Sequence, residues 1–125
     1  MSGPPGLRGV VWEFFKAVTG WDTTQEDWIN VNGRRIIQVQ RALLLLGGPD
    51  IVWDTNIHDD NPDRWYVPLP SGPYKGSAPK KDEVMEQRKE AYTTMGWDQN
   101  GIPTTAELKN LGLDDVDRVL EKIRP

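Results

Sequence analysis

Three residues that could bind a metal ion stand side by side near the middle of this 125-residue chain: His58, Asp59 and Asp60. Imidazole and carboxylate groups are ordinary ligands of zinc. Neighbouring residues on an extended segment point in opposite directions, so these three do not easily converge on one ion. Asn61-Pro62 follows directly, and Asp, Asn and Pro favour turns. We therefore expect turn hydrogen bonds here, and the sequence predicts no metal site.

Three arginines, Arg34, Arg35 and Arg41, fall within one predicted helix. Arg34 and Arg41 are seven residues apart and therefore share a helix face. One interpretation is a solvated or salt-bridged helix surface. The other is a docking patch for a protein partner, and the sequence leaves both open.

Other catalytic patterns are missing. The segment Gly72-Pro73-Tyr74-Lys75-Gly76 has glycines around a lysine but lacks the spacing of a phosphate-binding loop, so it is predicted to be a turn. The single histidine has no nucleophile placed beside it by the sequence. The sequence thus predicts no catalytic, cofactor-binding or metal-binding residues in this chain.

Net charge and hydropathy indicate which kinds of partner are expected. Fifteen basic and 19 acidic residues give a net charge of -4 with no basic run, so nucleic acid is not an expected partner. The longest apolar run, from Ala42 to Leu46, is too short to cross a bilayer, and no secretory signal is visible. A cytoplasmic protein without a membrane segment is expected. Low hydrophobic content, 37%, combined with six Trp suggests apolar surface that needs a protein neighbour or self-association.

Periodicity predicts an all-α fold. Residues 1–9, rich in Gly and Pro, are expected to be a flexible lead-in, followed by one helical domain over residues 10–125. Helices are predicted over 10–18, from Thr23 or Thr24 to about 31, over 32–46, 82–95, 104–111 and 114–123. In the third of these, an apolar face is expected to point to the core, formed by Ile36, Val39, Leu43 and Leu46 and broadened by Ile37 and Leu44.

A long irregular segment from Pro49 to Lys81 interrupts the helices. It contains six of the ten prolines: Pro49, Pro62, Pro68, Pro70, Pro73 and Pro79. Such a length without regular structure is unusual in a compact domain unless the segment lies across other elements or a partner.

The clearest signals for the ends of helices lie near the end of the chain. Gly96 can adopt the left-handed conformation that closes a helix, and Trp97 can fold back on the last turn in a Schellman-type cap. Pro103 then pre-sets its own backbone dihedral, and Thr104 or Thr105 offers a hydroxyl that can cap the next helix, with Glu107 in capping-box register to Thr104. The sequence predicts a helix stop, a rigid turn and a helix start in succession.

This string resembles the C-terminal signature of the aldehyde ferredoxin oxidoreductase family, the tungsten-pterin enzymes. Further blocks occur in the family's order, and together they cover roughly residues 10 to 123. The matching segments are Tyr92, Gly96-Trp97-Asp98, Gly101-Ile102-Pro103-Thr104, Leu108 and Leu111-Gly112-Leu113; Val18-Thr19-Gly20-Trp21-Asp22 with Thr24; Gly33-Arg34-Arg35-Ile36 with Arg41-Ala42; Asp59-Asp60 with Pro62 and Arg64; and Pro68 with Ser71-Gly72-Pro73 and Gly76. The family's enzymes are several times longer, so the chain resembles only their C-terminal helical portion.

For the full enzymes the resemblance implies oxidation of an aldehyde to an acid at a tungsten-bis-pterin, with electrons leaving through an iron–sulfur cluster to ferredoxin. In that family cysteines hold the cluster, and this chain has none. The cofactors are therefore expected to be bound elsewhere. The resemblance also implies that Arg64, with Asp59 and Asp60, belongs to the helical half that frames the substrate cavity.

Two functions follow from the sequence. The chain is either a fragment or split subunit of such an oxidoreductase, not catalytic alone, or a stand-alone helical interaction module that kept the scaffold without the redox centre.

Overall fold

The structure, a computed structural model, describes residues 5–125, and the side chains from Gly9 onward. Within these residues it is helical and contains no β-strand, which confirms the predicted all-α class with an irregular middle segment. The elements are α1 (Pro5–Thr19), α2 (Gln25–Asp27), a π-helical turn (Trp28–Gly33), α3 (Arg34–Leu46), α4 (Thr55–His58), a 3-10 turn (Asp63–Tyr66), α5 (Lys81–Thr94), α6 (Thr105–Asn110) and α7 (Asp114–Leu120).

The chain divides into two compact units, residues 1–36 and residues 37–125. The prediction of a single domain over residues 10–125 stays a prediction. None of the helices described within residues 5–125 combines the length and apolar character needed to cross a membrane.

The beginning of the chain corrects one expectation. Helix α1 begins at Pro5, so residues 5–9 are helical although they were expected to resist regular structure. Proline is tolerated in the first turn of a helix because its missing N–H has no partner there anyway. Residues 1–4 of the predicted lead-in lie outside the described residues.

The first unit is organised around aromatic rings. Phe15 of α1 lies 5.2 Å from Trp12, 5.7 Å from Trp21 and 4.4 Å from Trp28, measured between ring centroids. Gly20, at a φ of 65°, ends α1, and the Thr24 hydroxyl caps α2 by accepting from the Asp27 backbone N–H at 3.1 Å. The sequence left Thr23 and Thr24 open as the start of this helix, and the structure selects Thr24.

The apolar core of the second unit lies mainly among its last helices. Its buried members are Ala42, Ile102, Leu108, Leu111, Leu113 and Leu120. Before α6, the predicted Schellman cap is present: the Trp97 N–H donates to the Tyr92 carbonyl at 2.8 Å and the Gly96 N–H to that of Thr93 at 3.1 Å. Thr104 caps α6, as predicted, by accepting from the Glu107 N–H.

Helix α3 presents a different side to this core than its periodicity predicts. Gln38, Arg41 and Ala42 are buried, whereas Ile36, Ile37, Val39, Leu43, Leu44 and Leu46 are all exposed. The predicted inward face was therefore wrong. The physical reason is that Gln38 and Arg41 find hydrogen-bond partners 18 to 69 residues later in the chain, which local periodicity does not reveal.

Candidate functional site

The centre of the second unit is an ion pair between Arg41 of α3 and Asp59, the residue that follows α4. Both Nη atoms of Arg41 donate to the two carboxylate oxygens of Asp59, with Nη1 to Oδ1 at 2.8 Å. Arg41 Nε donates to the Gly101 carbonyl at 2.9 Å. The two side chains are 6% and 10% exposed, so the pair is shielded from water. This forked geometry fixes the position of the guanidinium plane.

Asp59 accepts two more hydrogen bonds, from the Tyr92 hydroxyl and from Trp53 Nε1 at 3.1 Å. Burial alone would raise the pKa of this carboxyl, but the hydrogen bonds from Arg41 and Tyr92 outweigh it and hold the pKa below its ordinary value. Burial lowers the pKa of Arg41, and the hydrogen bond and charge of Asp59 more than reverse that effect. The pair therefore stays ionised at neutral pH.

Tyr92 of α5 completes the cluster. Burial, together with the hydrogen bond to the Asp59 carboxylate, raises its pKa to about 12. A phenol held this firmly in its neutral form is a poor general base near pH 7. The Arg41–Asp59–Tyr92 cluster thus joins α3, α4 and α5 through fixed charges, which is a structural role.

A second layer of contacts holds α3 against the turn after α5. The Arg41 guanidinium carbon lies 4.4 Å from the centroid of the Trp97 ring. Trp97 Nε1 donates to Gln38 Oε1 at 2.7 Å. Gln38, which is fully buried, donates in turn to the Met95 carbonyl at 2.7 Å and to the Glu107 carboxylate at 3.2 Å. Its polar atoms are satisfied, so burying it is tolerated.

Asp60 forms a separate group with Tyr66 and Lys81. The Tyr66 hydroxyl donates to Asp60 Oδ1 at 2.6 Å, and Lys81 Nζ lies 3.2 Å from Oδ2. The hydrogen bond from Tyr66 is the main cause that lowers the pKa of Asp60, and the same bond raises the pKa of Tyr66. Asp60 Oδ1 also accepts from the Asn61 N–H at 2.8 Å, which is the predicted turn hydrogen bond.

Arg64 lies in the 3-10 turn at the edge of a groove of about 360 Å³. The groove is mostly apolar, and it is lined by Arg64, Trp65, Val67, Leu69, Ser77, Ala78 and Pro79. Arg64 is exposed, and among the described residues it has no ion-pair partner. Its implied place at a substrate cavity stays a prediction.

The remaining predicted site residues lie elsewhere. His58 turns away from Asp59 and Asp60, because its Nδ1 accepts from the Asp54 N–H at 2.8 Å and its ring stacks on Trp53. Arg34 belongs to the first unit, where it is half-buried. Of the five residues singled out from the sequence, the structure pairs only Arg41 with Asp59.

Burial corrects the interpretation of Arg41. Arg41 is salt-bridged, as one of the two interpretations allowed, but inside the unit and not on a helix surface. Its side chain is 6% exposed, so it offers no accessible charge to a partner in this structure.

Sequence reasoning did not place Trp53 beside Asp59 or Gln38 beside Trp97. Tyr92 lay in the predicted helix over residues 82–95 and in the family string, but its bond to Asp59 was not foreseen. The available signal was that Gln38 and Arg41 lie three residues apart on the same side of α3, while the stretch from Ile37 to Leu46 is apolar apart from them and Gln40.

The cofactors of the implied family need particular donor atoms. Iron–sulfur clusters are held by thiolates, and the chain contains no cysteine. Within residues 5–125 no three His, Asp or Glu side chains are close enough to share an ion. The residues present do not fit a cluster or a protein-bound metal.

The chain is similar in sequence to proteins of one known family. A family model described as "Aldehyde ferredoxin oxidoreductase, domains 2 & 3" matches residues 6–113. The chain belongs to the aldehyde ferredoxin oxidoreductase family and corresponds to its C-terminal portion.

Individual relatives agree with this assignment. The chain is 45% identical over 120 residues to an aliphatic sulfonate oxidoreductase, WOR-like subunit, of Pyrococcus furiosus; the match covers 96% of this chain and 19% of that protein. It is 31% identical over 102 residues to the tungsten-containing aldehyde ferredoxin oxidoreductase of the same organism. This match covers 81% of the chain and 16% of that enzyme. The Pyrococcus horikoshii enzyme of that name is 30% identical over 104 residues, covering 82% and 16%. The chain spans less than a fifth of the length of these relatives.

Proposed function

We propose that this chain is the C-terminal helical part of an oxidoreductase of this family, present either as a segment of a longer chain or as a separate subunit. The observation that carries the proposal is the match of residues 6–113 to the family model, together with relatives of which the chain covers only 16% to 19%. The proposed reaction of the whole enzyme is oxidation of an aldehyde to the carboxylic acid, with ferredoxin as electron acceptor.

In this proposal the rest of the enzyme binds the tungsten-pterin and the iron–sulfur cluster, because the chain lacks the thiolates that such clusters need. The chain's own contribution is rigidity. The Arg41–Asp59 pair and its contacts to Tyr92 and Gly101 fix the spacing of α3, α4 and α5, on which any residue facing the rest of the enzyme depends.

A second substrate class is favoured by one observation. Identity to the aliphatic sulfonate oxidoreductase subunit, 45%, is well above the 31% to the aldehyde enzyme of the same organism. An aliphatic sulfonate is therefore the alternative substrate of the whole enzyme.

A segment exchange tests the proposal. The 120 matching residues of the Pyrococcus furiosus sulfonate oxidoreductase subunit are replaced by this chain, and ferredoxin reduction is measured with an aldehyde and with an aliphatic sulfonate. We expect the exchanged protein to accumulate in folded form and retain activity. A folded but inactive protein, or one that does not fold while the parent does, would count against the proposal and favour a stand-alone interaction module.

A further inference from the structure

One side of α3 in the second unit carries no charge. From Ile37 to Leu46 the only charged residue is Arg41, and it is buried against Asp59. The residues left exposed are apolar apart from Gln40, and Leu43 is the most open of the apolar ones at 66%. We call these exposed residues the uncharged side of α3: Ile37, Val39, Gln40, Leu43, Leu44 and Leu46.

This pattern does not fit a surface helix. A helix at a protein surface has one apolar stripe facing the core and charged residues on the opposite face. In α3 the side facing the core carries Gln38 and Arg41, and the opposite side is apolar. The exposed side of α3 is therefore apolar where a surface helix would carry charges, and apolar surface left open in this way is typical of a site that another protein surface covers.

The exposed surface continues beyond the helix. Ile51 and Val52, just after the turn that ends α3, are also exposed, at 62% and 82%. The turn itself is fixed by Gly47, at a φ of 68°, and by the bridge between Gly48 and Ile51. Many exposed apolar residues in one part of the chain are typical of an interaction site.

We propose that the uncharged side of α3 is the surface against which the rest of the oxidoreductase packs. This inference rests on the proposed function, and it adds the place of contact. The occupant follows from length: the relatives continue for more than four-fifths of their sequence outside the matched segment. A partner surface for this side must itself be apolar and uncharged, because an unpaired charge buried against it would be costly.

The first experiment compares one substitution in two settings. Leu43→Glu is introduced into the isolated chain and into the exchanged full-length protein described above, and thermal unfolding is followed in both. Because Leu43 is exposed in the chain, we expect little change there. In the full-length protein the buried carboxylate should lower the unfolding midpoint clearly. Val119→Glu, at an exposed apolar position of α7, is the matched control and should be neutral in both.

The outcomes separate the two proposals. If the exchanged protein is active and Leu43→Glu does not change its unfolding midpoint, this inference is overturned but the proposed function is not. If the exchanged protein is inactive or unfolded without any substitution, the result counts against the proposed function instead. An equally large effect in the isolated chain would show that the chain covers this side of α3 by itself.

A second measurement does not depend on the exchanged protein. The chain has no cysteine, so Leu43→Cys creates a single thiol. In the monomeric isolated chain we expect it to react with a maleimide at a rate close to that of Val119→Cys. Labelling at least about tenfold slower at low protein concentration would overturn the inference. Labelling that slows only as concentration rises, with a dimer in sedimentation, would assign the surface to a second copy of the chain.

Discussion

Trp97 and Gln38, 59 residues apart in the sequence, are joined by a hydrogen bond of 2.7 Å from the indole Nε1 to the amide Oε1. The bond connects the Schellman turn after α5 to the buried side of α3. It explains why a helix whose own pattern favours another orientation presents its polar residues to the interior.

Truncating Trp97 should be costly. Trp97→Ala removes the ring that packs against Arg41 and Tyr92 and leaves Gln38 Oε1 without its donor. We expect a loss of about 3 to 5 kcal/mol in the free energy of unfolding, measured by urea denaturation. Trp65→Ala, at a tryptophan 55% exposed, is the control. A loss below about 1 kcal/mol for Trp97→Ala would show that the ring contributes little to this unit.

Removing the carboxylate partner should leave a buried charge. Asp59→Ala leaves the Arg41 guanidinium unpaired in a shielded site, and breaking such a pair costs about 3 to 5 kcal/mol. Urea denaturation again provides the measurement. Asp63→Ala, in the exposed 3-10 turn, should stay within about 0.5 kcal/mol of the wild type. Similar losses for the two variants would contradict the importance of the ion pair.

Replacing Gly101 by alanine should destabilise the protein for two reasons that can be measured separately. Gly101 has a φ of 73°, and an added Cβ would come within 2.9 Å of Tyr92 Cζ and closer still to Arg41 Nη2. Gly72 has a φ of 89° but nothing within 4 Å of the same position. Gly72→Ala should therefore show the backbone cost alone, about 1 to 2 kcal/mol.

Gly101→Ala should cost about 1 to 3 kcal/mol more than that control, because the ion pair must shift. Unfolding curves of the two variants, measured side by side, give the difference. Equal costs would mean that the Arg41–Asp59 pair tolerates displacement.

Stability should fall at both ends of the pH scale through the same cluster. The pKa of Asp59 is lowered on folding. Its contribution to folding stability is therefore present above its unfolded pKa near 3.8 and is lost as pH falls through its folded pKa. The pKa of Tyr92 is raised from 10.0 to about 12, so its contribution is present below pH 10 and is lost as pH rises towards 12.

Thermal unfolding across this range gives the measurement for the cluster. Tyr92→Phe should flatten the dependence between pH 10 and about 12 while keeping most of the ring packing. An unchanged alkaline slope in this variant would assign the loss to other groups.

The purified chain alone should be colourless and free of tungsten, molybdenum and iron. It has no cysteine to supply a thiolate ligand. Within residues 5–125 it also has no cluster of carboxylate and imidazole ligands. Elemental analysis and an absorption spectrum are the measurements. Stoichiometric metal that survives dialysis would contradict the argument from missing ligands.

Local chemistry was sufficient to predict much of the fold from the sequence. Gly20, Thr24, Gly96 and Thr104 mark helix ends through backbone conformation and short-range hydrogen bonds, and the structure places the ends where these residues predict them. The interior could not be predicted in the same way. Periodicity placed Leu43 inward, whereas Gln38 and Arg41 occupy that position because their partners lie far along the chain.

The candidate site follows the same division. Asp60 makes the turn hydrogen bond that its neighbour Asn61 predicts. Asp59, one residue earlier, was assigned to the same turn and instead pairs with Arg41 across 18 residues. No short-range rule distinguishes two adjacent aspartates, since the difference lies in which one meets a buried guanidinium.

The long separation between Gln38 and its partners also affects the order of events at the ribosome. Gln38 leaves the exit tunnel 57 residues before Met95 and 69 before Glu107, and its amide can be satisfied only when both have emerged. During that interval the buried side of α3 lacks the hydrogen bonds that hold it in the folded chain. We therefore expect α3 to reach its final orientation only after the last helices have been made.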